Sequence, residues 1–540
     1  MKWFKTVALI LVCLILLCSC GQMNPITNPS GVTIPDGELS SDIDRANGTS
    51  LLYCGSDRLD PFAAETVINK QICTLIFEPL ITVDRQFQPE YILAESVKVE
   101  GKSCIITLKD VLFTDGSAVT ADDVVYSIKK AISSQQQYAD MLNNVVSYSV
   151  ANEKSVSITL KRHDPYFVNM LEIPIIKAES DLKKDENNIF LTAIGTGRYT
   201  FDSQKKCLIA NNEFHGGTVS IKEINLINAP DSEVVDYNLK FGNVLAYYSD
   251  LQDCKVPQMA GKTETVDLNN LVYIGVNMSN KNLNNESVRY AISAALNREN
   301  ICESAFHLYA SPAKSVFNSA FVDVASMGVI STKTDADKVA AYMTESGYTS
   351  KNEDGLYINS KGKVLEYRLV YNEDSVFKKS AAELIKKQLE TVGISVVLQP
   401  LSFEKYKSAL SSGSFDLYLG EMKIPLNMDI SALVLEGGAA AFGIINKPSS
   451  AQNPSVESSE NLSNDTNNQT NSDFTLAETV EKLYNGEATL VDVLNSFNSE
   501  LPIIPVCHRK GVTVVSSVIS DKIYSTINQP FYNIENSYIS

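Results

Sequence analysis

Apolar and polar residues alternate from Ser103 to Lys109 and again from Ser155 to Lys161, the period of half-buried antiparallel strands. Between them Val124, Ile128, Ala131 and Ile132 recur at helical spacing behind Thr120 and Asp123, a cap and its partner three residues on. A strand, helix, strand order follows. Farther along, Leu365, Tyr367, Leu369 and Tyr371 alternate. A helical stripe of Ala381, Leu384, Ile385, Leu389 and Val392 then stops at Gly393, ahead of a strand from Ile394 to Leu398. A second helix, Phe403 to Leu410, ends near Gly413 and feeds a strand from Phe415 to Leu419. Strands separated by helices predict a parallel sheet with right-handed crossovers, the core of an α/β lobe. Another amphipathic helix is predicted from Glu286 to Asn300, with Val288, Ile292, Ala295 and Leu296 on its buried side.

Three stretches break these patterns. Lys2 and Lys5 precede an unbroken apolar run from Val7 to Leu17, closed by Leu17-Cys18-Ser19-Cys20. Eleven apolar residues fall short of the roughly 20 a spanning helix needs, so the segment predicts a cleaved signal peptide, residues 1–19. Its closing residues resemble the bacterial lipobox, which implies diacylation at Cys20, two chains being enough for stable membrane attachment. From residue 20 to about 50 the chain is polar and rich in Pro, Gly, Ser and Asp, the composition of a flexible tether. Residues 449–473 are almost entirely Ser, Asn, Gln, Thr, Asp and Glu, which predicts a disordered insertion with an ordered chain resuming near Phe474.

Charge and composition narrow the function. The 540 residues carry 46 basic and 64 acidic side chains, a formal charge of −18, or −20 once Lys2 and Lys5 leave with the signal. No basic stripe accompanies that balance, which argues against nucleic acid. Beyond Cys20, seven cysteines are scattered without CxxC or other ligand spacing and read as buried thiols. The only tryptophan, Trp3, lies in the signal segment, so aromatic ligand contacts fall to Tyr or Phe. His163, His215, His307 and His508 are isolated, without metal-ligand pairing, and no metal or cofactor is expected. GxSxG, HExxH and a Walker loop are all missing, so an envelope hydrolase has little support. Asp115-Gly116 reads as a turn, Asp122 and Asp123 as a helix start, and Gly195-Thr196-Gly197 lacks the rest of a dinucleotide fingerprint.

An ordered series of segments carries a resemblance. Leu59-Asp60-Pro61 is followed by IFEPLITVD (76–84), Pro89 and LAES (93–96), then by VLFTDGSAVTADDVVYSIKKA (111–131). GTGRYTF (195–201), VNMSNKNLNNESVRYAISAALNREN (276–300) and ELPIIPV (500–506) complete it. From about residue 50 to the C-terminus the chain thereby resembles the family 5 extracellular solute-binding proteins, the dipeptide and oligopeptide receptors of ABC importers.

The resemblance implies an α/β, two-lobed periplasmic-binding-protein-like fold (type II, large cluster C type), with an extra subdomain in the first lobe and a hinge between lobes. Lobe I would comprise 51–96, 190–270 and 508–540, the extra subdomain 97–189, and lobe II 271–507. The crossing segments would fall near Leu271 to Asn277 and Pro502 to His508. It further implies a monomer, not an enzyme, held by its lipid on the extracytoplasmic face of a membrane, which captures short peptides and passes them to permease subunits. In relatives an acidic side chain meets the peptide's amino terminus. Here the corresponding stretch, GEMKIPLNMDISALVLEGG (420–438), lacks the usual Trp and Asp-Tyr/Asp-Pro pattern. Asp429 is the first candidate for that amine partner and Glu421 the second, because both follow a strand's carboxyl end, where α/β clefts form. Gly437 and Gly438 would let backbone approach a ligand. Other ligands of the family (a nickel complex, an oligosaccharide, a signalling peptide), or a sensor that has lost transport, are the alternative readings.

Overall fold

The computed structural model describes residues 48–134, 137–448, 474–520 and 523–539. The signal segment, Cys20, the tether as far as residue 47 and the insertion 449–473 lie outside the described residues. The end of the tether span is already packed, since Ser50 bridges Val244 and its carbonyl accepts from Leu245 N at 2.7 Å.

Two four-stranded sheets and one larger sheet organise the chain. β1 (Leu51–Tyr53) lies parallel to β10 (Glu223–Asn228), and antiparallel pairing continues through β9 (Cys207–Ala210) to β8 (Tyr199–Asp202). A hairpin of β2 (Ile81–Val83) and β3 (Pro89–Tyr91) follows β1 in sequence. The second sheet is antiparallel, in the order β4 (Ala94–Glu100), β5 (Ser103–Leu108), β7 (Ser155–Leu160), β6 (Val145–Asn152). Alternation explains its two central strands: Cys104, Ile106 and Leu108 point inward from β5, and Val156, Ile158 and Leu160 from β7.

The expected helix between them spans Ala121–Ser133. Asp123 and Thr120 reciprocate in a capping box that satisfies its first amides. Val124, Ile128 and Ala131 are buried, but Ile132 is 38% exposed, a correction to its expected place. Ser127 and Ala131 centre the buried stripe on the opposite flank, which leaves Ile132 on the rim of the last turn. Gly116 adopts φ +83° in the turn before this helix, as the Asp-Gly pair requires.

The largest sheet runs β11 (Ala246–Ser249), β19 (Ile503–Val515), β12 (Lys262–Val276), β18 (Leu417–Lys423), β16 (Glu366–Asn372), β17 (Ser395–Leu401), with β13 (Ala310–Pro312) against β19. A small pair, β14 (Ser350–Lys351) and β15 (Tyr357–Ile358), stands apart. As the pattern predicts, β16 is parallel to both β17 and β18, and the intervening helix Val376–Val392 ends on Gly393 at φ +104°. Two long strands join the halves of this sheet. Lys262 to Asp267 of β12 pair with Lys510 to Val515 of β19, whereas Asn270 to Val276 also pair with β18. The ladder is irregular between Asp267 and Leu271 and between Val272 and Tyr273.

The single helix expected from Glu286 to Asn300 is two, Glu286–Ala295 and Arg298–Ser304. Asn297 caps the second, accepting from Asn300 N at 2.9 Å. Arg298, 0% exposed, fixes the break by donating to the carbonyls of Ser293, Ser331 and Pro505. The apolar stripe is buried on both sides of the break, which is why periodicity alone runs through it. Among the described residues no helix is long and apolar enough to cross a membrane.

Candidate functional site

The chain leaving β18 is pinned before it reaches Asp429. Ile424 N donates to Asn269 O at 2.7 Å, and Asn269 Nδ2 returns a bond to Ile424 O at 3.0 Å. Met428 then takes φ +58°, a left-handed kink that turns the chain into a short helix, Ser431–Val434. Asp429, one residue before the cap Ile430, accepts through Oδ1 from Ser431 N, the first amide of that helix, at 2.9 Å. Its Oδ2 is left for a charged partner, the guanidinium of Arg162.

Arg162 follows β7 and lies 3.5 Å over the ring of Tyr484, a cation–π stack that fixes the guanidinium plane. Burial, and then the negative charge of Asp429, push the Tyr484 phenol above its ordinary value. Neighbouring side chains of the same segment make a seam. Asp164 Oδ2 accepts from Asn427 Nδ2 at 2.7 Å, Tyr166 donates to Asp323 at 2.9 Å, and Asn169 Nδ2 donates to Leu426 O and Phe87 O, both at 3.1 Å. Burial raises the Asp164 carboxyl above its usual value, the Asn427 bond works against this, and the charge of Asp429 adds to it.

Glu421 has a different setting. It lies on β18 opposite Val272, with Asn270 Nδ2 at 3.0 Å, Arg509 Nη1 at 3.2 Å and Lys378 Nζ at 3.1 Å. Burial raises its pKa, but the two cations outweigh burial and hold it below the ordinary carboxylate value. Arg509 also donates to the carbonyls of Asp250 and Leu251 at 2.7 and 2.6 Å. Lys423, two residues along the same face of β18, is exposed at its surface, yet surrounding protein lowers its ammonium against the pull of Glu172 and Asp250.

The structure does not bring Asp429 and Glu421 onto a common partner. The two glycines differ as well: Gly437 takes φ +80° with open space around it, whereas a Cβ on Gly438 would meet Ala432 O at 2.6 Å, so close packing explains that glycine. Sequence reasoning missed Arg162, Asp164, Asn427 and Tyr484 around Asp429, and Lys378, Asn270 and Arg509 around Glu421. The run of polar side chains immediately after β7, Arg162-His163-Asp164, was the available signal. Among the described residues no group of three His, Cys, Asp or Glu side chains could hold a metal ion. His163 faces Gly101 O, His215 bonds Glu78 at 2.7 Å, and His508 is buried against Val316 O at 3.2 Å. Among the described residues the cysteines form no disulfide, and all but Cys254 are buried.

Known proteins resemble this chain in sequence and in overall fold. The family described as "Bacterial extracellular solute-binding proteins, family 5 Middle" matches residues 88–431. The chain is 24% identical over 399 residues to the oligopeptide-binding protein AppA of Bacillus subtilis (strain 168), covering 68% of this chain and 69% of that one. It is 25% identical over 273 residues to the glutathione-binding protein GsiB of Salmonella typhi, covering 48% of this chain and 53% of the relative, about half its length. In three dimensions it is similar to an ABC transporter substrate-binding protein from Sinorhizobium meliloti (TM-score 0.68, 18% identity, 91% of this chain and 99% of that one). NikZ from Campylobacter jejuni in complex with Ni(L-His) follows at TM-score 0.58 and 19% identity, over 91% of this chain and 99% of the other. The fold is the α/β, two-lobed periplasmic-binding one of these neighbours.

Proposed function

Because the chain belongs to the bacterial extracellular solute-binding proteins of family 5, we propose that it captures short peptides between two hinged lobes and delivers them to the permease of an ABC importer. The relatives named for an oligopeptide and for glutathione, itself a tripeptide, support a peptide ligand over the other solutes of the family.

The observation that carries the reading is the Asp429 carboxylate, which already accepts a nitrogen cation across the seam. A peptide's terminal ammonium takes the place of the Arg162 guanidinium there, and the seam from Arg162 to Asn169 closes beside it. Extended backbone then supplies the remaining hydrogen bonds, which tolerate many side chains. Closure needs contacts that exist only in the closed state, since equal affinity for both states shifts nothing. We place the hinge in β12 and β19, where the expected crossings fall within the long strands. The irregular ladder between Asp267 and Leu271 is the point that flexes.

Cys20 gives this receptor its address: two acyl chains keep the hinged body on the extracytoplasmic face, within reach of the importer. Replacing Cys20 with Ser leaves peptide affinity unchanged, releases the protein from the membrane and lowers uptake; retention and full uptake together would refute the anchor. Peptide capture itself is tested by thermal unfolding against a library of short peptides. A true ligand at a hundred times its Kd raises stability by about 2.7 kcal/mol. Native mass spectrometry of the protein purified without denaturation then shows peptide-mass adducts, whereas a protein stabilised by no peptide and carrying none contradicts the reading.

A further inference from the structure

The span whose composition is that of a tether meets the fold at Gly48, which is buried between two other stretches of chain. A Cβ there would stand 3.2 Å from both Gly242 O and Val518 Cγ2. Each of these stretches carries large apolar side chains into water. On one side, the helix Ser232–Lys240 buries Asn238 and Leu239 and packs Val234 and Val235 against Leu52, Ala229 and Val244. The i, i+4 spacing then brings Tyr237, 49% exposed, and Phe241, 62% exposed, together on the outer face, with ring centroids 4.6 Å apart. Gly242, at φ +69°, turns the chain directly after them.

On the other side, Ile519, next to Val518, bridges Ile539. Ser520 N donates to Tyr538 O and Tyr538 N to Ser520 Oγ, both at 2.9 Å. Ile519 is buried, whereas Tyr538 is 54% and Ile539 48% exposed. Three aromatic rings and an isoleucine, drawn from two separate parts of the chain, thus border the point where the chain enters the fold. Single apolar side chains on a surface need no explanation, but a group around one point marks an interaction surface.

The chain outside the described residues indicates what covers it. Cys20 stands 28 residues before Gly48. A flexible coil of that length has a mean reach of only about 30 Å, so a body anchored through Cys20 keeps Gly48 and its border within that distance of the lipid. Amphipathic rings settle at the boundary between membrane and water, and tethering turns even a weak surface contact into an intramolecular one. We propose that Tyr237, Phe241, Tyr538 and Ile539 form a face that rests on the lipid bilayer, so that the body lies against its membrane in one orientation. This rests on the Cys20 anchor proposed above. The exposed acids Glu233 and Asp236 outnumber Lys240 on the same helix, so the contact is apolar and does not depend on anionic lipid.

The test uses the full chain in a Trp3→Phe background, so that one introduced indole is the only one present. Phe241→Trp and a control, Phe403→Trp, are reconstituted into phosphatidylcholine vesicles with brominated acyl chains. Phe403 is 50% exposed, on the helix Phe403–Ser411 that packs on β16 and β17, at the opposite edge of the largest sheet from β11. Flotation reads the anchor, and quenching reads the surface. Both variants float; the emission of Phe241→Trp shifts to the blue and is quenched at low and high salt alike, and that of Phe403→Trp is not. In the wild type, hydrogen exchange at 237–241 slows on vesicles relative to the released Cys20→Ser protein. Failure to float overturns the anchor and this surface with it. Flotation with an unquenched Phe241→Trp, or with both indoles quenched alike, overturns the surface alone. Slowed exchange without quenching does so too, as the sign of a protein partner or a second copy on this face.

Discussion

Glu421 and Asp429 belong to one short segment and are both largely buried, yet the cations around them differ in number and exposure. Glu421 sits inside the largest sheet, 13% exposed in its side chain, between Lys378 and Arg509, with every partner supplied by that sheet and the helix over it. Asp429, 19% exposed, meets the Tyr484 hydroxyl and one guanidinium, which is 42% exposed and arrives from a segment 267 residues away. A buried carboxylate between two cations is costly to release, because each partner would be left charged in a poorly hydrated site. A pair with one cation whose guanidinium is partly hydrated costs less to exchange, since water compensates part of what that cation loses. On the proposed reading Asp429 is the acid that trades its partner for a ligand, whereas Glu421, between two cations, holds the sheet.

That contrast is broken or sharpened most strongly at Glu421. Glu421→Ala strands Lys378 and Arg509 and lowers the unfolding free energy by about 3–5 kcal/mol, read from the urea midpoint. A loss below about 1 kcal/mol would put Glu421 in the same class as a surface pair.

The next effect comes from His508, beside Arg509 on β19. Burial lowers its imidazole from 6.5 to about 4, only partly opposed by the bond to Val316 O. Between those values the unfolded chain binds a proton that the folded chain refuses. Stability therefore falls as pH drops from about 6.5 to about 4, by up to about 3 kcal/mol, and is unaffected above that window. His508→Gln removes this part of the acid slope. An unchanged slope in the variant would show that the imidazole is protonated in the fold.

The smallest stability change belongs to the seam. Arg162→Ala costs about 1 kcal/mol or less, because the guanidinium is half-exposed, although loss of the stack on Tyr484 adds to it. The same variant binds peptide at least as well as the wild type, since the ligand's ammonium no longer competes. Tighter folding dependence on Arg162 than on Glu421 would invert the comparison.

These two regions also show what the amino-acid order discloses. The elements around Glu421 were legible, because alternation in β16, the stripe from Ala381 to Val392 and the Gly393 stop are local signals. The partners were not. Arg509 lies 88 residues from Glu421 and Arg162 lies 267 from Asp429, and such pairings follow from sheet topology, to which local periodicity is blind. The helix break at Leu296-Asn297 escaped for a related reason, since it is fixed by Arg298 reaching Pro505 O across 207 residues. Ile132 shows the converse limit: apolar spacing places a residue near the buried stripe without saying which flank the neighbouring strands cover.

Calorimetric titration of one stabilising peptide, with its amino terminus free and then acetylated, tests the role of Asp429 most directly when repeated on Asp429→Asn. The free terminus is expected to bind the wild type at least about tenfold more tightly than the acetylated one, as a charge-assisted bond requires, and the difference to vanish in the variant. Equal affinity of the wild type for both peptides, or a preference for the free terminus that survives in Asp429→Asn, would contradict it.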